Sequence, residues 1–271
     1  VPPYYNDKYW NFYEWSDGLA GDRSLNNMRD KDNPLNFDAP LNAFYYLALR
    51  SAVQIAKNLA DYTKDANYHD LEAWYDMMAA GVLNNFDKTF WDEEKEVYAT
   101  YLINGEKHHY SELTNALALY AGLVPESKKE KVAHMLAHGK DLVPITISHS
   151  IFKYEALLSV SDEYGKYVFD EITDKWGYML YNNATTFWET INGAWDFSNA
   201  GSLCHGWSAI PVIFYYKYVL GISPLTVGFT DYKFSPIPTP LYAAEGKIPS
   251  GKMDYHVSIT PNGFKINKIK H

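Results

Sequence analysis

A single cysteine, Cys204, in 271 residues excludes an intramolecular disulfide and a cysteine-based zinc cage. No apolar run approaches the length of a transmembrane helix. Positive charge is scarce: 24 Lys and Arg stand against 33 Asp and Glu, for a net charge of −9. With a pI near 5.4, this argues against nucleic acid or an anionic membrane surface as partner. It also disfavours a strongly anionic polysaccharide. The chain has no Gly-rich phosphate loop, no Gly-x-Ser-x-Gly elbow and no fixed-period repeat. No signal peptide is visible, and the first residue is Val1 rather than Met. A mature product, a fragment or a trimmed chain is therefore expected, and the compartment stays open, with periplasmic or extracellular ahead of cytoplasmic.

Aromatic residues are abundant, at 17% with 24 Tyr and 8 Trp. They serve equally well as bulky core or as flat faces for sugar rings. The length suffices for one sizeable core, or for a larger domain with a small one.

Residues 1–37 read as loop, rich in Asn, Asp, Pro and aromatics, and Trp10–Asp17 brings aromatics and two carboxylates together. A loop this long is a surface excursion, the end of a part that precedes it, or an active-site loop, and the active-site reading is slightly favoured. From Asp38-Ala-Pro40, an N-cap followed by Pro in the first turn, the pattern becomes helical. Leu41, Phe44, Tyr45, Ala48, Ala52, Ile55, Ala56 and Leu59 form one apolar stripe; Leu71, Trp74, Tyr75, Met78, Val82, Leu83 and Phe86 form a second, over about 68–90. A hairpin-like excursion around Val97–Tyr101 turns at Asn104-Gly105. Further helices are predicted at about 110–122, 126–137, 147–159, 162–176 and 203–219.

Helices joined by short loops, without a repeat, predict a mainly α fold, an (α/α)6 six-hairpin toroid. About seven helices against the roughly twelve of a complete toroid predict a partial barrel. After Leu220-Gly-Ile-Ser-Pro224 the composition shifts to short strands, at Phe229–Phe234, Leu241–Ala244, Tyr255–Thr260 and Phe264–Ile269. The expected division is a helical part over 1–222 and a small, incomplete antiparallel β module over 223–271.

The chemistry concentrates in Ala184-Thr-Thr-Phe-Trp-Glu-Thr190 and Gly201-Ser-Leu-Cys-His-Gly-Trp-Ser-Ala-Ile-Pro211. Glu189, His205, Trp188, Trp195 and Trp207 fall within a short stretch. A carboxylate that activates water beside flat aromatic faces suits a glycoside hydrolase. On the residues alone, a helix-capping or paired Glu189 and a structurally satisfied His205 are the favoured readings, with the base and sugar-binding roles as the alternatives.

These blocks resemble the C-terminal half of the catalytic domain of family 78 glycoside hydrolases, the inverting α-L-rhamnosidases. The similarity runs from about Trp10 to Ser258. It includes Trp10-Asn-Phe-Tyr-Glu-Trp15, Asn115–Leu119, Gly122–Pro125, Trp176–Met179, Thr185–Glu189 and Ser202–Ser208. The resemblance implies Glu189 as general base, with Glu14, Trp15, Trp188, Trp195, His205 and Trp207 around the substrate and Asp17 as a further candidate from the loop. It implies a terminal α-L-rhamnoside of a plant glycoside or polysaccharide as substrate, and no cofactor or metal. The family's upstream Asp-x-x-x-Arg block, which accompanies its general acid, has no counterpart here; the early arginines are Arg23 and Arg29. A fragment lacking the acid is therefore expected, with the N-terminal half of the barrel as partner. The alternatives are a non-catalytic carbohydrate-binding remnant, or another six-hairpin enzyme such as a polysaccharide lyase, which the scarcity of Arg disfavours.

His108-His109 with Glu112 has loose metal-ligand spacing but no second cluster, so a surface loop is expected. His134 and His138 stand four apart without the intervening Glu of zincins.

Overall fold

Asp38 takes the extended conformation of an N-cap, and Pro40 lies in the first turn of α1, Ala39–Thr63. The helix stops where Lys64 turns left-handed and its N–H bonds Ala60 O. Three residues later α2, Asn67–Phe90, begins and folds back along α1, as so short a connection requires. These residues belong to a computed structural model that describes residues 1–3, 11–21, 35–250 and 253–270. The chain forms two units, Val1–Val160 and Ser161–His271.

In the first unit, β1 (Phe37–Asp38) pairs antiparallel with β4 (Tyr101–Ile103), which pairs with β5 (Glu106–His108). The β4–β5 turn is Asn104-Gly105, both at positive φ, as a two-residue hairpin demands. β2 (Trp91–Asp92) and β3 (Val97–Tyr98) form a second small pair. Ser111 caps α3 (Glu112–Tyr120) by accepting from Thr114 N, and Leu113 to Leu119 are all buried. α4 (Glu126–His138) and α5 (Ser150–Val160) add Val132, Leu136, Tyr154 and Leu157 to this core. Lys153, 3% exposed, reaches Glu112 at 2.8 Å, and the same carboxylate accepts from Ile145 N at 3.0 Å.

In the second unit, α6 (Gly165–Tyr181) follows a 3-10 turn at Asp162–Tyr164 and buries Val168, Phe169, Ile172, Trp176 and Met179. α7 (Ile210–Phe214) continues as a π-helical turn, Tyr215–Val219. β6 (Ile222–Pro224) pairs with β7 (Tyr232–Phe234). β8 (Ala244–Ser250), β9 (Met253–Thr260) and β10 (Gly263–Lys270) form an antiparallel sheet with β9 in the middle. Leu220, at the end of the helical segment, joins Ile222, Ile248, Tyr255 and Val257 in one buried cluster, so the strands are packed on the helix that precedes them.

Several expectations need correction. The continuous helix over 203–219 is broken into a 3-10 turn at Gly206–Ser208, α7 and the π turn. Pro211 lacks the N–H that an uninterrupted helix would use, so it stands in the first turn of α7 instead. The strand placed at Leu241–Ala244 starts at Ala244 and runs through Pro249, which an edge strand tolerates. At Phe229–Phe234 only Tyr232–Phe234 is strand. The stripes of α1 and α2 have the expected period but not the expected burial: Ile55 is 59%, Trp74 49% and Leu83 41% exposed. Among the described residues, no helix is long and apolar enough to cross a membrane.

Candidate active site

Two irregular segments of the second unit, Thr186–Glu189 and Ser202–His205, are laced together. Glu189 N donates to Ser202 O at 2.9 Å and His205 N to Phe187 O at 2.7 Å; the Thr186 hydroxyl donates to Leu203 O. The next turn adds the Ser208 hydroxyl on Trp188 O and Trp176 Nε1 on Ser208 O at 2.7 Å. These cross-links fix where the Glu189 side chain leaves the backbone.

The Glu189 carboxylate is held at one end. Its Oε2 accepts from Ser202 N at 3.0 Å and lies 4.0 Å from His205 Nδ1, with the Glu189 side chain 17% exposed. Trp207 Nε1 donates to the carbonyl of the same Glu189 at 3.0 Å. The Trp207 indole stacks on the His205 ring with centroids 3.8 Å apart and 28° between planes. Among the described residues, Oε1 receives no hydrogen bond. A carboxylate with one oxygen anchored and the other open can accept a proton from water without losing its orientation.

Residues 190–201 form a loop whose neck is the Glu189–Ser202 pair. Gly193, at φ 57, lies so close to Trp188 that a Cβ there would be 2.6 Å from Trp188 Cε3. That contact keeps Trp188 buried at 8% exposure, whereas Trp195 at the loop surface is 79% exposed. Phe197, Ser198 and Asn199 follow at φ 53, 59 and 69, a left-handed turn that L-residues rarely make.

Glu14 and Trp15 belong to the first unit. Glu14 is fully buried, and its Oε2 accepts from Thr146 N at 2.9 Å and from Thr146 Oγ1 at 2.7 Å. His149 Nδ1 stands 3.9 Å from the same oxygen and 3.0 Å from Ser148 Oγ; burial lowers the pKa of His149. Trp15 is 41% exposed and meets Phe12 edge-on at 4.7 Å. The surrounding loop is pinned further. Ser16 Oγ donates to Pro144 O at 2.7 Å, and Tyr101 OH to Gly18 O at 2.8 Å. His109 Nε2 donates to Asp17 O at 2.8 Å. Tyr13 OH donates to Asp38 at 2.8 Å, and burial, reinforced by Asp38, raises its pKa well above the phenolic range.

Thus Glu189, His205, Trp207 and Trp188 come together, with Trp195 on the intervening loop and Glu14 and Trp15 in the other unit. Trp10, Arg23 and Arg29 lie outside the described residues. Sequence reasoning did not single out Ser202, whose backbone N–H orients Glu189, nor Thr146, which holds Glu14. A backbone donor leaves no residue-type signature. Among the described residues, no group of three or more His, Cys, Asp or Glu is placed to hold a metal ion.

The model of the bacterial α-L-rhamnosidase six-hairpin glycosidase domain matches residues 5–219. The chain belongs to this six-hairpin glycosidase family. An α-L-rhamnosidase of Alteromonas sp. (strain LOR) is 26% identical over 207 residues, covering 71% of this chain and 22% of that protein. The crystal structure of a GH78 family rhamnosidase of Bacillus sp. GL1 matches 96% of the chain and 26% of its own, at TM-score 0.77 and 24% identity. The Streptomyces avermitilis α-L-rhamnosidase complexed with L-rhamnose matches 81% of this chain and 21% of its own, at TM-score 0.59 and 18% identity. The fold is therefore that of the six-hairpin glycosidases, mainly α with small antiparallel sheets, and the chain spans about a quarter of the length of these relatives.

Proposed function

We propose that this chain is the base-bearing part of an inverting α-L-rhamnosidase, with Glu189 as general base. The observation that carries this reading is the half-anchored carboxylate: Oε2 on Ser202 N–H, Oε1 open, and the aromatic pair His205–Trp207 beside it. Glu189 takes a proton from water as that oxygen attacks the anomeric carbon. A second carboxyl protonates the departing glycosidic oxygen from the opposite face. Inversion requires the two groups roughly 6.5–9.5 Å apart. The lack of an Asp-x-x-x-Arg block within residues 1–271 supports a reading in which another part of the enzyme supplies that acid. The relative that binds L-rhamnose supports a terminal α-L-rhamnoside, of a plant glycoside or polysaccharide, as substrate. In the second unit, Trp195 and the open face of Trp207 offer sugar-stacking surfaces; in the first, Glu14 holds the Trp15 loop from within. The reading extends to a periplasmic or extracellular enzyme. The same absence favours one alternative, a carbohydrate-binding remnant without turnover.

The test is Glu189→Gln in an enzyme that embeds this chain with its general acid, assayed on aryl α-L-rhamnosides. The reading expects kcat to fall roughly 10²–10⁴-fold with binding retained, and azide to restore rate because a small anion needs no base. Near-wild-type kcat ends the assignment. Lost melting temperature with unchanged kcat in the folded fraction gives Glu189 a structural role.

A further inference from the structure

Among the described residues, the Trp207 side chain both donates to the backbone carbonyl of Glu189 and stacks on the ring of His205. We propose that it is a positioning residue for Glu189, acting through its indole N–H; the proposal rests on the reading of Glu189 as the base. Three constraints converge on the glutamate. Its amide is tied to Ser202 O, its Oε2 to Ser202 N, and its carbonyl to Trp207 Nε1. The first two come from one neighbouring residue, so on their own they leave Glu189 and Ser202 free to shift as a pair. The indole comes from five residues beyond Ser202, at the 3-10 turn whose Ser208 is itself bonded to Trp188 O and Trp176 Nε1. It therefore refers the position of Glu189 to the buried part of the unit.

The stacking has a second effect. Trp207 is 38% exposed, where water competes for its N–H. The imidazole against its face, itself fixed by His205 N on Phe187 O, limits rotation of the indole. In return the indole holds His205 Nδ1 4.0 Å from Oε2, too far to cap the carboxylate and close enough to face it. One ring thus sets both the backbone of the base and the distance of its neighbour.

Trp207→Phe keeps an aromatic face on His205 and removes only the N–H; Trp207→Ala removes both. Amide hydrogen exchange is measured on the 271-residue chain for wild type, both variants and Glu189→Gln, with melting temperature on the same samples. The expected result for Trp207→Phe is exchange about fivefold faster at the Ser202 and Glu189 amides, with the α6 amides and the melting temperature unchanged. Glu189→Gln should also speed exchange at Ser202. Unchanged exchange at both amides in Trp207→Phe overturns the proposal. A uniform rise across the unit with a lower melting temperature does so too, by making Trp207 mere packing. A third overturning result is L-rhamnose binding lost in Trp207→Ala while exchange at the two amides stays as in wild type; that would make the ring a sugar platform. No substrate turnover enters these measurements, so failure here is distinguishable from failure of Glu189 as base.

Discussion

Thr146 gives both its backbone N–H and its hydroxyl to one oxygen of Glu14, a residue 132 positions earlier in the chain. The clasp fastens the Trp15 loop to the segment that leads into α5. Thr146→Val keeps the shape and the N–H but removes the hydroxyl from a fully buried carboxylate. Such a charge-assisted bond contributes about 1–3 kcal/mol. The urea midpoint of Thr146→Val should fall accordingly, and a midpoint equal to wild type would mean that the hydroxyl contributes nothing.

His149 faces Glu14 at 3.9 Å, and burial depresses its pKa below the ordinary 6.5. Above that value His149 is neutral in both folded and unfolded chains. As pH falls below it, the unfolded chain takes up the proton first, so this contribution to stability is lost on acidification. His149→Gln, which does not titrate, should show a smaller loss of urea midpoint than wild type between about pH 7.5 and about pH 5.5. Parallel pH profiles would exclude His149 as a source of acid sensitivity.

Gly193→Ala puts a methyl group into Trp188 and forces an L side chain at φ 57. The backbone term is about 1–2 kcal/mol and the crowding about 1–3 kcal/mol. A destabilisation of about 2–5 kcal/mol is expected, together with a changed tryptophan emission as Trp188 is displaced. Wild-type stability and emission would show that the loop can shift aside freely.

Lys153→Met removes the cation from a pair that is almost sealed from water and strands the Glu112 carboxylate at the start of α3. Breaking a buried pair at one partner costs about 3–5 kcal/mol. Chemical denaturation reads the loss directly, and an effect below about 1 kcal/mol would place this pair with exposed ones.

The helices were legible because the period of the apolar residues survives any packing, and Asp38, Pro40, Asn104 and Gly105 punctuate it with residues of narrow conformational preference. Burial was not legible. Ile55 and Trp74 carry the right period on faces that remain exposed, since periodicity says which side is apolar and not what covers it. At the site, Glu189, His205 and Trp207 were visible as a motif. The donors that orient them were not, because Ser202 acts through its main chain and Thr146 reaches Glu14 from far along the sequence. Glu14, expected around the substrate, is instead enclosed by the fold and given an internal partner, Thr146.

The neck formed by Glu189 and Ser202 separates two kinds of change that evolution can make. Residues beyond Gly193, through the exposed Trp195 to the left-handed turn at Phe197–Asn199, hang from a closure that the tip does not help to make. Doubling such a loop costs only about 0.6 kcal/mol in closure entropy. On the proposed reading of Glu189 as the base, insertions, deletions and aromatic exchanges at that tip retune which sugar or aglycone is gripped, while the carboxylate at its root keeps its place.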